Sequence, residues 1–141
     1  MKPVQIVLIE DNPGDVLLVE VALEENGIPC QLTRFENGGE AVRVLCAPAE
    51  ANALVPDAIL LDLNTSRTDD FQMLIELKQC PRLSQVPIAI LSSSPESNDK
   101  HNAALQSVRY IPKPPQLEDF LATVGQAVKE MLRPSWNPGQ L

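Results

Sequence analysis

Short, unbroken apolar runs alternate along this chain with longer stretches in which apolar residues recur every three or four positions. The runs are Val4–Ile9, Ala58–Leu61 and Val86–Leu91, with weaker ones at Cys30–Phe35 and Val108–Ile111. Continuous apolar runs rich in β-branched residues are typical of strands that are covered on both faces of a parallel sheet. The pattern therefore predicts five strands.

Helical periodicity fills the intervals between these strands. A first helix is expected after Asn12-Pro13, with Gly27 as its stop. Asn37 is expected to cap a second helix that runs to about Cys46.

The second half of the chain predicts further helices. Asp69 or Asp70 is expected to cap a third, and a weak fourth fits between Pro95 and Ser107. The last helix, which Pro134 ends, has the clearest apolar stripe. That stripe comprises Leu117, Phe120, Leu121, Val124, Val128, Met131 and Leu132.

The alternation of strands and helices predicts the fold class. Five strand–helix repeats indicate an α/β protein with a doubly wound, five-stranded parallel sheet, right-handed crossovers and helices on both faces. A length of 141 residues fits one domain. We expect that domain to span residues 1–133, with residues 134–141 as a C-terminal tail too short for a DNA-binding unit.

Charge and composition narrow the class of protein. A net charge of −8 with scattered Lys and Arg argues against a nucleic-acid-binding surface. No apolar run approaches the ~20 residues that span a bilayer. Met1-Lys2-Pro3 does not open a signal peptide. We therefore expect a soluble cytoplasmic protein with neither a nucleic acid nor a membrane as partner.

Cysteine and histidine usage excludes several kinds of site. Cys30, Cys46 and Cys80 are odd in number and have no CxxC spacing. They are expected to be small hydrophobic residues in a reducing compartment, with neither a disulfide nor a zinc site. The single histidine, His101, argues against a His-based metal site or a Ser/His/Asp triad.

Polar and charged groups follow the ends of four predicted strands. In strand order they are Glu10-Asp11, Asp62 with Asn64, Ser92, and Lys113. Because function in such sheets lies at the carboxyl ends of the strands, these groups are expected to converge. Close carboxylates repel, and Mg²⁺ relieves that repulsion while a lysine holds a phosphoryl oxygen. Each group alone is ordinary, but their joint placement favours a site that handles phosphoryl groups.

Four motifs at these strand ends resemble the response regulator receiver domain, the phosphoacceptor module of two-component signalling. They are Val7–Pro13, Ile59–Asn64, Ala89–Ser93 and Tyr110–Pro114. The resemblance covers roughly residues 3–133 and implies the flavodoxin-like strand order 2-1-3-4-5. The Glu-Asp-Asn-Pro-x-Asp opening and a long loop before the third strand resemble stand-alone receivers that work with phytochrome-type kinases.

The resemblance implies a role for each site residue. Asp62 would accept a phosphoryl group from a sensor histidine kinase, and Lys113 would pair with that group. Ser92 and Tyr110 would switch conformation with it. The residues that would hold Mg²⁺ are Glu10, Asp11, Asp62 and the backbone carbonyl of Asn64. The Lys113-Pro114 bond is expected to be cis, as in the family.

The same resemblance implies a signalling protein that is not an enzyme. The only reactions expected of it are its own Mg²⁺-dependent phosphorylation and dephosphorylation. It would act through an unknown downstream protein, and an apolar edge on the last two helices is compatible with a homodimer. Departures from the family pattern lie in Thr65–Asp70, which lacks the usual proline and glycine, and in Gln106–Arg109.

Alternative functions stay open. The altered loop Thr65–Asp70 is compatible with a pseudo-receiver that binds a partner without phosphorylation. Leu60–Thr65 also resembles the first motif of haloacid dehalogenase-type phosphatases, although Asn64 replaces their general acid and Glu10-Asp11 precedes Asp62. A flavin-binding protein is disfavoured because aromatic residues are few.

Overall fold

Five parallel strands form the centre of the structure, a computed structural model that describes residues 4–47, 55–63, 68–92 and 108–132. They are β1 (Val4–Ile9), β2 (Cys30–Phe35), β3 (Ala58–Leu63), β4 (Ile88–Ser92) and β5 (Arg109–Pro112). Their order in the sheet is β2-β1-β3-β4-β5. The predicted fold class and strand order are confirmed.

The described residues also form four α-helices and one 3₁₀ turn. The helices are α1 (Pro13–Glu25), α2 (Gly38–Leu45), α3 (Thr68–Gln79) and α4 (Leu117–Met131), and the 3₁₀ turn is Pro81–Leu83. The helix predicted between residues 95 and 107 and the tail from residue 134 lie outside the described residues.

Asparagine side chains cap the first two helices, which confirms the cap predicted at Asn37. The Asn12 side chain accepts a hydrogen bond from the Gly14 N–H at 2.8 Å, and the Asn37 side chain accepts one from the Glu40 N–H at 2.8 Å. Each bond satisfies an N–H that the helix itself leaves without a partner. Capping of the third helix by Asp69 or Asp70 is wrong, because α3 begins at Thr68 and includes both residues in its first turn.

Apolar side chains lie on both faces of the sheet because successive residues of a strand point in opposite directions. One core cluster contains Ile6, Leu8 and Leu60 beneath α1 and α4, and a second contains Ile9 and Leu61 beneath α2 and α3. The expected stripe of α4 supplies most of its buried side chains. Leu117, which was expected on that stripe, is 55% exposed because it is the first residue of the helix.

Helices α1 and α4 approach closely where one residue has no side chain. Asn26 caps the C-terminus of α1 and donates from Nδ2 to the carbonyl oxygens of Ala22 at 2.7 Å and Leu121 at 3.1 Å. A Cβ at Gly125 of α4 would lie 1.9 Å from that Nδ2. Gly125 therefore allows the two helices to share a hydrogen-bonded contact.

The two cysteines nearest the ends of α2 and α3 form a disulfide. Cys46 follows α2, Cys80 follows α3, and their Cα atoms are 5.7 Å apart. The expectation that no cysteine is in a disulfide is therefore wrong for this pair, whereas Cys30 is a free thiol. The pairing depends on the packing of α2 against α3, which a sequence separation of 34 residues does not reveal.

Across the described segments, no helix is long and apolar enough to cross a membrane.

Candidate functional site

The carboxyl edge of the sheet gathers charged residues on the face that α1 and α4 cover. Leu8 and Leu60 belong to the core cluster beneath those helices. Glu10 and Asp62 each follow one of them by two positions, and two positions return a side chain to the same face. Lys113 follows Ile111 of the same cluster in the same way. The alternation of the strands therefore brings an acidic pair and a lysine to one place.

Glu10 is buried, with 2% of the residue exposed. Burial raises the pKa of the Glu10 carboxyl from 4.5 to about 9, and hydrogen bonds with Asp62 and Asp11 act in the same direction. The Asn12 N–H opposes this shift by donating to Glu10 Oε1 at 3.0 Å. A carboxyl with this pKa carries a proton at neutral pH unless a cation joins it.

Asp62 and Lys113 meet across the sheet. Lys113 Nζ donates a hydrogen bond to Asp62 Oδ1, and the Asp62 side chain is 2% exposed. This contact links the ends of β3 and β5, which are not neighbours in the sheet. It places one positive charge beside the acidic group.

Asp15 joins the cluster, although the sequence interpretation assigned it no role. Carboxylate oxygens of Glu10, Asp15 and Asp62 lie within 4.8 Å of one another. Asp15 stands in the first turn of α1, where the Asn12 cap fixes the helix start and the helix dipole favours an acid. The available signal was an acid in the first turn of a helix that begins directly after Glu10-Asp11.

Asp11, predicted as a metal ligand, is exposed and does not belong to that group of described carboxylates. It remains in contact with the cluster through its hydrogen bond to Glu10. Asn64, the other predicted ligand, lies outside the described residues.

The backbone of Ser92 lies close in register to both central residues. Ser92 ends β4, where it is paired with Leu63 of β3 and with Pro112 of β5. These partners directly adjoin Asp62 and Lys113 in sequence. Tyr110 lies in β5 opposite Ile90. The side chains of Ser92 and Tyr110 fall outside the described part of the chain, so their predicted switching roles stay predictions.

The predicted cis bond between Lys113 and Pro114 is wrong, since none of the described peptide bonds is cis. Trans is the more stable form of an X–Pro bond by about 0.5–1 kcal/mol. Lys113 reaches Asp62 with the trans bond in place.

A parallel sheet in this order, with an acidic cluster and a lysine at its carboxyl edge, places the chain among flavodoxin-like α/β proteins with a charged strand-end site. The family model of the response regulator receiver domain matches residues 6–125. The chain belongs to the response regulator receiver domain family, and the resemblance found in the sequence is confirmed.

Individual relatives agree with this assignment. Response regulator Rcp1 of Synechocystis sp. is 35% identical over 98 residues, which are 69% of this chain and 67% of Rcp1. The probable methanogenesis regulatory protein FilR2 of Methanothrix harundinacea is 28% identical over 138 residues, which are 97% of this chain and 89% of FilR2.

Solved structures show the same architecture over nearly the whole chain. The phosphorylated cyanobacterial phytochrome response regulator RcpA superposes with a TM-score of 0.80 and 32% identity, covering 97% of this chain and 99% of RcpA. The Mn²⁺-bound form of Rcp1 gives a TM-score of 0.77 and 30% identity, covering 96% of this chain and 99% of Rcp1. One of these structures, RcpA, is thus a phytochrome response regulator that this chain resembles in sequence and in fold.

Proposed function

We propose that this chain accepts a phosphoryl group on Asp62 from a sensor histidine kinase and passes the signal on through protein–protein contact. The observation that carries the proposal is the hydrogen bond from Lys113 to the buried Asp62 carboxylate beside Glu10. We place the receiver domain over residues 1–133, the tail over residues 134–141, and the protein in the cytoplasm.

In the proposed step, Asp62 supplies the nucleophile. A carboxylate oxygen of Asp62 forms a bond to phosphorus while the bond from phosphorus to the donor's imidazole nitrogen breaks, and that nitrogen keeps the electron pair. Lys113 donates to Oδ1 of Asp62, and in the proposed step it would donate to an oxygen of the transferred group. A fixed ammonium group stabilises the charge that the phosphoryl oxygens carry during transfer.

The acidic cluster fits a divalent cation of the Mg²⁺ type. Its donors are carboxylate oxygens, the ligands that Mg²⁺ prefers, and they lie within 4.8 Å of one another. Oxygens bound to one Mg²⁺ lie at most about 4.2 Å apart, so small movements suffice. Glu10, Asp15 and Asp62 would hold the ion, with Asp11 and the backbone carbonyl of Asn64 as further proposed ligands. When bound, Mg²⁺ supplies charge neutralisation around the carboxylates and the incoming phosphoryl group.

Two relatives support this proposal. Rcp1 has been solved with Mn²⁺ bound, and RcpA has been solved in its phosphorylated form. RcpA is also a phytochrome response regulator, which supports a phytochrome-type kinase as the phosphoryl donor. Ser92 and Tyr110 would report the phosphorylated state to a downstream partner. A homodimer is also part of the proposal.

Intact mass measurement with a small phosphodonor tests the proposal. We expect incubation with Mg²⁺ and acetyl phosphate to add one phosphoryl group to the wild-type chain, and EDTA to prevent this. Asp62→Asn should abolish the gain. Asp57→Asn is the matched control, because Asp57 lies just before β3, near its opposite end, where it accepts the Gln5 N–H. That variant should be phosphorylated like the wild type.

Other outcomes assign other functions. A mass gain that survives Asp62→Asn would show a different acceptor. Mg²⁺ binding without any mass gain would favour a pseudo-receiver, to which the altered loop Thr65–Asp70 points. Steady turnover of a phosphomonoester, lost in Asp62→Asn, would favour a phosphatase. Transfer from a purified phosphorylated phytochrome-type kinase would then test the donor.

A further inference from the structure

Arg34 breaks the apolar row that β2 presents towards α1. Cys30 and Leu32 of this row pack against the core cluster beneath α1 and α4. The next residue on the same face, two positions further, is Arg34. A charged residue that ends an apolar row, one position before the strand itself ends, needs a polar partner there.

The partners of Arg34 are the backbone carbonyls next to the acidic cluster. Its Nε donates to the carbonyl oxygen of Glu10 at 3.0 Å, and its Nη2 donates to the carbonyl oxygen of Asp11 at 3.0 Å. The side chain is 29% exposed, and the nearby Glu36 carboxylate lies 3.9 Å from Nη2. A single guanidinium therefore bridges two successive peptide groups of the segment that joins β1 to α1.

Two further hydrogen bonds hold the chain at this point. The Glu10 N–H donates to the Phe35 carbonyl at 2.9 Å, which continues the pairing of β1 with β2 by one residue. Two residues later, the Asn12 side chain caps α1, and the backbone N–H of Asn12 donates to Glu10 Oε1. The carbonyls between these restraints are the two that Arg34 holds. The planar fork of arginine can satisfy both at once, whereas a lysine ammonium has no such fixed geometry.

We propose that Arg34 is a positioning residue for the cation site: its bridge to the Glu10 and Asp11 carbonyls fixes the peptide turn from which both carboxylates project. The inference deepens the proposed function and rests on it for the identity of the ion. Arg34 acts through the backbone of the ligands, since its guanidinium donates to their carbonyl oxygens.

Calorimetric titration with Mg²⁺ tests the inference on the full chain. We expect Arg34→Ala to weaken Mg²⁺ binding by about 10–100-fold, the range found when outer-sphere partners of metal ligands are removed. Arg34→Lys should also lose several-fold, because it keeps the charge and lacks the fork. Arg43→Ala is the matched control: Arg43 is exposed on α2, so this variant makes the same charge change away from the site and should bind like the wild type.

A metal-free measurement follows the bridge directly. The Glu10 and Asp11 carbonyls share their peptide groups with the N–H of Asp11 and of Asn12. In EDTA, Arg34→Ala should shift the amide NMR resonances of these two residues, and Arg43→Ala should leave them in place. Thermal unfolding of each variant shows whether the fold is kept, and Arg34→Lys serves if Arg34→Ala does not fold.

The outcomes separate this inference from the proposed function. An Arg34→Ala variant that binds Mg²⁺ as tightly as the wild type would overturn the positioning role. So would an Arg34→Lys variant that keeps the wild-type affinity while Arg34→Ala loses it. The second result would show that the charge acts without the bridge. A wild-type chain that binds no Mg²⁺ would overturn it as well. If the Mg²⁺ affinity depends on Arg34 but the wild-type chain gains no phosphoryl group, the result would support this inference and contradict phosphorylation of Asp62.

Discussion

Lys113 donates a hydrogen bond to Asp62 from across one intervening strand, and both side chains are largely withdrawn from water, at 14% and 2% exposure. The lysine therefore balances an acid that lies beside two others, Glu10 and Asp15. Removal of one partner from a buried pair leaves an uncompensated charge, which costs more than the pair contributes. The loss should be larger when Lys113 is removed, because the charge then left alone is that of Asp62, the less exposed partner.

The first prediction concerns this asymmetry. Lys113→Met should lower the free energy of unfolding in EDTA by about 3 kcal/mol, because it removes the ammonium group that pairs with the buried Asp62 carboxylate. Asp62→Asn should lower it less, because the amide oxygen can still accept a hydrogen bond from Lys113, whose side chain is more exposed to water than that of Asp62. Urea denaturation measures both. Lys129→Met, on the exposed side of α4, is the control and should change little. Equal losses in the Lys113 and Asp62 variants would contradict this account.

The second prediction concerns Glu10 and pH. Its pKa is raised from 4.5 to about 9 in the metal-free fold, so the folded state holds this proton more tightly than the unfolded state. The contribution to stability is complete below pH 4.5 and is lost as the pH rises towards 9. Denaturation in EDTA should show wild-type stability falling across this interval.

Glu10→Gln should remove this loss, since the amide has no proton to release. At pH 8 in EDTA, the variant is expected to be more stable than the wild type and its stability less dependent on pH. Its Mg²⁺ affinity should be lower, because a carboxylate ligand is gone. A wild-type chain whose metal-free stability is flat between pH 5 and 9 would contradict the pKa assigned to Glu10.

The fold and half of the site could be predicted from local patterns. β1 and β2 have the bounds that the apolar runs indicated. Glu10, Asp62 and Lys113 come together because strand ends of a parallel sheet meet at one edge. Asp15 was not assigned to the site, because its approach depends on how the first turn of α1 folds back over β1. That direction is set by the Asn12 cap and not by strand periodicity.

Features that depend on contacts between different helices or strands were not predicted. The Cys46–Cys80 disulfide joins the ends of α2 and α3, and no spacing in the sequence marks it. The bridge from Arg34 to the Glu10 carbonyl depends on the register of β2 against β1, which pairs Leu8 with Arg34. The sequence shows that Arg34 lies near the end of a predicted strand. It does not show the partners of Arg34, because these are backbone carbonyls, which every residue has.

The third prediction concerns the contact between α1 and α4. Gly125→Ala places a Cβ 1.9 Å from Asn26 Nδ2, so the Asn26 side chain must leave its bond to the Leu121 carbonyl. We expect a loss of about 1–3 kcal/mol in the free energy of unfolding, typical of overpacking. Gly39→Ala is the control, because its Cβ would lie 3.5 Å from the nearest atom, an ordinary contact.

A double-mutant cycle locates the cause of that loss. In an Asn26→Ala background the added methyl group no longer meets an amide, so Gly125→Ala should cost much less there. The coupling free energy between positions 26 and 125 then measures the contact between the added methyl group and the Asn26 side chain. Additive effects of the two substitutions would show that Gly125 is required for some other reason.

The fourth prediction concerns the disulfide between Cys46 and Cys80, which closes a loop containing β3 and Asp62. For a sequence separation of 34 residues, the chain-entropy model assigns such a link about 3–4 kcal/mol of stabilisation. A phosphine reductant should therefore lower the urea midpoint of the wild type. Cys46→Ser should show the lower midpoint without reductant and no further response to it.

Reduction should nevertheless leave the fold in place. Arg82 Nη1 donates to the Ala47 carbonyl at 2.8 Å, so the end of α2 stays attached to the 3₁₀ turn without the covalent link. Circular dichroism of the reduced chain in the absence of urea should accordingly match that of the oxidised chain. Cys30→Ser should respond to reductant as the wild type does, because Cys30 is a free thiol. A wild-type midpoint that does not change with the reductant would show that the pair contributes no cross-link in solution.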